Sequence, residues 1–200
     1  MTPGAPVARI KVVLDDVMPP VMRRLEIPLS LRLDRLHTVL QVAMGWTDSH
    51  LWEFRVKGIG FGIPDPDFGF GDGPLDARKA KLSDVLEDTG ARSFKYLYDF
   101  GDGWEHSIRV ERITAAIDGG TYPCLLDASG RCPPEGIGGP WGYQEAREAL
   151  ADPTHERHDE LSEWWSADRL QDDTIDIAAI DADLATLARR WTRKPRAKKM

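Results

Sequence analysis

Four groups of residues in this chain could do chemistry. The first is the run Asp99-Phe100-Gly101-Asp102-Gly103-Trp104-Glu105-His106. Two carboxylates three positions apart can act as acid and base or hold a cation, and a histidine beside them can take a proton. The run lacks the oxygen-ligand spacing of a calcium loop. Aspartate also caps backbone N–H groups in turns, and that reading is favoured for Asp99 and Asp102. His106 falls on the same alternating face as Trp104, Ile108 and Val110. There it is either a hydrogen-bonded core histidine, the favoured reading, or a ligand or catalytic base. His50 is similar but expected to be exposed.

The second group is Cys124 and Cys132. Zinc sites usually present close cysteine pairs, and this spacing is wider. Two inert thiols are favoured over a disulfide or a metal site, for which His106, Glu135 and His50 would have to complete the ligands. The third is Gly136-Ile-Gly138-Gly139-Pro140-Trp141-Gly142. Trp141 stands where a dinucleotide fingerprint needs glycine, and no Gly-Lys-Ser/Thr follows, so a rigid turn is expected rather than a phosphate cradle. The fourth is the tryptophans, seven in all. Trp46, Trp52, Trp104 and Trp141 neighbour these motifs, and tryptophan suits cores and binding surfaces alike. No Gly-x-Ser-x-Gly or His-Glu-x-x-His motif is present.

The chain around these groups has 200 residues, 42% hydrophobic and 30% charged. That is room for one ordinary domain and argues against a disordered chain. No apolar run reaches the ~20 residues of a membrane span. The start lacks the pattern of a secretory signal, so a cytoplasmic location is expected. The net charge of −7 is uneven: seven of the 26 basic residues fall in 189–200, leaving 19 against 33 acidic residues before them. An acidic body is a poor nucleic-acid platform. The basic tail, 189–200, reads as a solubilising terminus, with contact to nucleic acid or a protein partner as the alternative.

Periodicity supplies the elements that must position the groups. Strands are expected at Arg9–Leu14, Val21–Ile27, Trp52–Val56, Ser93–Phe100 and Trp104–Glu111, the last two joined as a hairpin at Gly101-Asp102-Gly103. Leu36, Val39, Leu40, Ala43 and Met44 form one helical stripe closed by Gly45, with His37 and Gln41 off it. Leu82–Leu86 reads as a short helical turn. Gly58–Pro74, with six glycines and three prolines, reads as a loop with no regular element, and Pro123–Gly142 as irregular. Helices are expected at Tyr143–Leu150, His158–Trp165 and Ile177–Trp191. The expected fold is α+β: an antiparallel sheet of about four to six strands packed on helices concentrated in the C-terminal part, with residues 1–188 a single domain.

The ordered segments resemble the plasmid pRiA4b ORF-3-like family. Leu36-His37 carries the resemblance first, then Met44-Gly-Trp-Thr-Asp-Ser-His-Leu51 with Glu53-Phe54, and Tyr98-Asp-Phe-Gly-Asp-Gly-Trp-Glu-His106. Cys124 and Cys132-Pro-Pro-Glu135, through Gly138-Gly139-Pro140-Trp141-Gly142-Tyr143, complete it over roughly 7–180. The resemblance implies a compact α+β domain. Its members often sit on plasmids or as insertion-sequence passengers, some labelled TnpR; the label implies a resolvase, and no recombinase site is carried over. Relatives often have histidine at the Trp52 position and a third cysteine at the Ile137 position, so this chain lacks two groups that could serve as ligands.

The expected function is a non-catalytic binding or interaction module. Its patch joins Trp46–His50, the Asp99–His106 hairpin and the Cys132–Trp141 loop, with Trp46, His50, Glu53, Trp104, His106 and Trp141 as ligand-binding candidates. A hydrolytic or metal-assisted enzyme using Asp99, Asp102, His106 and Glu135 is the alternative. No cofactor is expected; zinc at His106, Cys124 and Cys132 is the minor case. Nucleic-acid binding through the tail is a third reading.

Overall fold

The computed structural model describes residues 4–64 and 73–192. Eight strands form one sheet: β1 (Pro6–Leu14), β2 (Val21–Pro28), β3 (Trp52–Val56), β4 (Ile59–Gly62), β5 (Leu75–Asp76), β6 (Ser93–Tyr98), β7 (Trp104–Ala115) and β8 (Cys124–Ser129). Their order is β5-β4-β3-β6-β7-β1-β2-β8, antiparallel except between β4 and β5. Six helices accompany them: α1 (Leu33–Met44), α2 (Leu82–Thr89), α3 (Gly139–Ala151), α4 (His158–Ser162), α5 (Ala167–Gln171) and α6 (Ile177–Thr192).

The α+β class holds, with corrections to its details. The sheet is larger than four to six strands, and helices are not gathered in the C-terminal part: α1 and α2 separate strands of the same sheet. β4 runs through the glycine-rich stretch expected to hold no regular element. Lys57 and Gly58 both have positive φ, 51° and 84°. That is the conformation of a two-residue hairpin turn, which the many glycines nearby concealed. The rest of that loop, 65–72, lies outside the described residues. β8 lies in the expected irregular region and gains its strand character by pairing with β2. The sequence pattern shows no partner for it. Phe100 is half exposed, at 51%, because β6 stops at Tyr98 and the hairpin turn spans 99–103. The expected fourth helix shortens to α4, and α5 follows it.

Alternation decides the two faces of the sheet. Ile10, Val12, Leu14, Leu25, Phe54, Tyr96, Trp104 and Ile108 face the helices and are at most 2% exposed. Register aligns them in rows: Val12 lies opposite Ile108 on β7, and Tyr96 opposite both Phe54 and His106. α1 presses Leu33, Leu36, Val39, Leu40 and Ala43 into the same layer. The other face carries a ladder of mutually paired charges. Arg9–Glu26 (2.8 Å), Arg24–Asp127 (2.7 Å) and Lys95–Asp15 (2.7 Å) are examples. The more exposed of these pairs add little stability, while Glu26 is itself 7% exposed.

Arg23 breaks the apolar row of β2. It aligns with Val12, is 1% exposed, and was passed over as a side chain of interest by periodicity alone. Among the described residues no helix is long and apolar enough to cross a membrane. Most of the basic tail, 193–200, lies outside the described residues; 189–192 form the last turn of α6.

Leu40 has no exposed surface, so Leu40→Ala leaves a cavity between α1 and the sheet. The expected loss is about 2–5 kcal/mol, read as a lower urea midpoint with an unchanged slope.

Candidate functional site

The site is built at the sheet end where α1, β3 and β6–β7 meet. After α1 the chain turns at Gly45 and lays Trp46 over the strand ends. The Trp46 ring stacks on Tyr98 (centroids 5.0 Å) and meets His106 edge-on (5.3 Å). Its indole N–H donates to the Pro133 carbonyl at 2.9 Å. One side chain thus joins the loop after α1 to the sheet and to the segment after Cys132.

Glu135 completes the junction. Its Oε2 accepts from the Thr47 N–H (3.0 Å) and the Thr47 hydroxyl (2.6 Å), and its Oε1 from the Tyr98 hydroxyl (2.5 Å) and the Ser49 hydroxyl (3.3 Å). Burial pushes the Glu135 pKa up, but the bonds from Thr47, Tyr98 and Ser49 outweigh it, and the net direction is down. Burial, with the bond to Glu135, raises the Tyr98 hydroxyl to about 12.

The hairpin turn docks on the same segment. Asp99 has φ 56°, and its Oδ1 accepts from the N–H groups of Gly101 (3.0 Å) and Asp102 (3.3 Å). His50 stands 3.4 Å from its other oxygen. Asp102 Oδ2 accepts from the Gly138 N–H at 3.3 Å. Gly139 has φ 72°, and a Cβ there would sit 2.1 Å from the Asp102 carbonyl oxygen. Glycine is therefore required for the hairpin and the start of α3 to touch.

A second network lies beneath and was missed. His37 and Gln41, expected off the stripe of α1, are each 3% exposed. His37 bonds the Tyr96 hydroxyl (2.7 Å) and Asp48 Oδ1 (2.6 Å), and stacks on Trp52 at 4.1 Å. Gln41 donates to the Tyr96 hydroxyl (3.0 Å) and accepts from the Asp48 N–H (2.9 Å). Burial lowers the His37 pKa, with Asp48 opposing. The signal available in the sequence was the four-residue spacing of His37 and Gln41, which puts both on one helix face.

The structure brings together Trp46, His50, Asp99, Asp102 and Glu135, and leaves Trp141 on the surface at 87% exposure. Of the others, Trp104 and His106 also meet the Trp46 ring, at centroid distances of 5.8 and 5.3 Å. Glu53 lies on the charged face and pairs with Arg55 at 2.6 Å. Trp104 and His106 are fully buried. His106 Nδ1 bonds the Tyr96 carbonyl at 3.2 Å, while its Nε2 and Trp104 Nε1 have no partner among the described residues. Burial lowers the His106 pKa to about 4, so the ring is neutral near pH 7. Cys124 and Cys132 are free thiols, and burial raises the pKa of each. No three His, Cys, Asp or Glu side chains gather as a metal-holding group among the described residues.

Beside this junction opens a cleft of about 700 Å³, lined by Trp46, Cys132–Glu135, Tyr143, Trp165, Leu170 and Ile180 together with charged side chains that include Arg23, Arg131 and Asp183. Its size suits a small molecule.

An α+β sheet closed at one end by this polar junction is the class to which comparison can be made. The plasmid pRiA4b ORF-3-like family matches residues 6–183, and the chain belongs to that family. It is 55% identical over 194 residues to the uncharacterized protein y4hQ of Sinorhizobium fredii (strain NBRC 101917 / NGR234), covering 97% of this chain and 98% of that one. The crystal structure of the protein of unknown function MM3350 from Methanosarcina mazei Go1 is similar at TM-score 0.74 and 31% identity. That likeness covers 88% of this chain and 97% of the other.

Two expectations follow from the geometry. Gly139→Ala puts a methyl group against the Asp102 backbone at a left-handed φ, so it should separate the hairpin from α3 and cost about 2–3 kcal/mol or more by urea unfolding. His106 titrates near 4 when folded and near 6.5 when unfolded. The unfolded chain therefore takes up the proton first as pH falls. The folded state keeps its full advantage above 6.5 and loses about 3 kcal/mol of it between 6.5 and 4. Urea midpoints at pH 7 and 4.5 should differ accordingly, and His106→Gln should flatten the difference.

Proposed function

We propose that the chain is a non-catalytic binding module of its family, and that its ligand seats in the cleft beside the Glu135 junction. The observation that carries this reading is the occupation of every carboxylate nominated for catalysis. Asp99 caps the hairpin turn, Asp102 holds Gly138, and Glu135 is saturated by Thr47, Ser49 and Tyr98. Glu135, held ionised by those several donors, is a weak proton carrier. His106, the nominated base, is buried away from them. What these groups accomplish instead is a stiff wall, and a preorganised wall favours binding. The plasmid in the family's name supports a mobile-element setting for this module.

The test is a titration of the ¹⁵N-labelled full chain with acidic, neutral and basic aromatic fragments. Parallel assays of ester and phosphoester hydrolysis run with and without added zinc or manganese. The expected result is movement of the Trp46 and Trp165 indole signals, loss of that movement in Trp165→Ala, and no turnover. Hydrolysis that disappears in Asp102→Asn or Glu135→Gln while the fold persists would overturn the reading.

A further inference from the structure

Arg23 is the least expected side chain in the core. It stands on the apolar row of β2 and is 1% exposed. Its Nε donates to the Ala43 carbonyl at 2.7 Å, and its Nη1 donates to the carbonyls of Met22 (2.8 Å), Ser129 (3.0 Å) and Gly130 (3.0 Å). These four acceptors are neutral. No carboxylate lies within ion-pair distance of the guanidinium among the described residues, although arginine keeps its charge in proteins. Buried charges are ordinarily paired, because an uncompensated ion in a low-dielectric interior is costly.

The second terminal nitrogen, Nη2, is the informative atom. It makes no hydrogen bond among the described residues, unlike Nε and Nη1. Arg23 borders the cleft with the 1% of its surface that is exposed. The carbonyl clamp on the other two nitrogens fixes the plane of the guanidinium. The cleft lining thus includes a rigid cation with one donor nitrogen uncommitted.

The rest of the lining narrows the ligand. Arg131, Arg169, Glu135, Asp176 and Asp183 also border the cleft. Arg131 is paired with Asp172 at 2.9 Å, Glu135 is saturated, and Asp176 accepts from the Ala179 N–H at 2.9 Å. Charges of both signs in the lining oppose a polyanion such as nucleic acid. The apolar part of the lining comprises Met44, Trp46, Tyr143, Trp165, Leu170 and Ile180.

We infer that the cleft binds a small molecule with one negative charge and an apolar body, its carboxylate or similar anionic head on Arg23 Nη2 and its body between Trp46 and Trp165. This assignment rests on the binding reading above and adds the ligand's chemical class. The neutral carbonyl clamp holds Arg23 in place without spending its charge, and an anion supplies the missing counter-charge.

The test uses the full chain and matched probes: 4-phenylbutanoate, its uncharged primary amide, 4-phenylbutylamine and 4-phenylbutyl phosphate. Binding is followed by the indole signals of Trp46 and Trp165. The acid is expected to bind about tenfold or more tightly than the amide, the scale of one hydrogen bond to a charged group. The amine should be weakest, and the phosphate no tighter than the acid. Arg23→Met should bring acid and amide to equal affinity. If that variant does not fold, the wild-type comparison decides, supported by Arg169→Gln, which should weaken the acid about threefold at low salt. Equal binding of acid and amide would overturn the anion assignment and leave the cleft a binding site. A phosphate clearly tighter than the acid would overturn the single-charge assignment. No movement of either indole with any probe would overturn both the assignment and the binding reading.

Discussion

One carboxylate holds the working end of this molecule together. Glu135 collects two donors from Thr47, one from Ser49 and one from Tyr98, which stand 88, 86 and 37 positions away in sequence. Without it the Thr47 N–H and the Tyr98 hydroxyl would need water or go unpaired as donors, and the Thr47 and Ser49 hydroxyls would keep only the bond between them (3.1 Å). A single ionised group with several lone-pair sites satisfies them together and fixes the loop after α1 against the segment after Cys132. The Trp46–Pro133 bond and the Asp102–Gly138 bond brace the same joint from its two sides. The rigidity of the cleft wall depends on this joint, since neither loop has secondary structure of its own at that point.

The two faces of the sheet divide the remaining labour. The outer face is a ladder of paired charges that stays in water. The inner face is apolar apart from a few polar side chains, each with a structural reason. His37 and Gln41 share the Tyr96 hydroxyl and secure Asp48, so the loop carrying Thr47 and Ser49 is held from below as well as from Glu135. Arg23 stitches β2 to the end of α1 and the end of β8 through carbonyls alone. The polar inner groups therefore converge on the same end of the sheet that Glu135 closes.

The alternation of Ile10, Val12 and Leu14, of Phe94, Tyr96 and Tyr98, and of Trp104, His106 and Ile108 was enough to assign strands and their buried face. It also placed His106 correctly among core residues. The helix at Leu36–Met44 was equally plain. What periodicity missed were elements whose regularity comes from a partner. β8 has too little apolar pattern to announce itself and exists by pairing with β2; β4 hides among glycines, behind the two-residue Lys57-Gly58 turn. The candidate site was legible as three motif segments, but not in its interior. His37 and Gln41 border the apolar stripe and count as surface residues until Tyr96 and Asp48 are set beside them. Arg23 breaks an alternating row, which is a signal, though one that says nothing of which carbonyls receive it.

The amino-acid order alone settled the class of fold, the buried side of most strands, the hairpin turn at Gly101-Asp102-Gly103 and the membership suggested by the ordered motifs. These depend on local periodicity and on backbone preferences of single residues. The tertiary structure decided which carboxylates are consumed as caps and clamps, and where a buried cation has no carboxylate within ion-pair distance among the described residues. Those are properties of distance and desolvation between segments far apart in the chain, and linear spacing does not contain them.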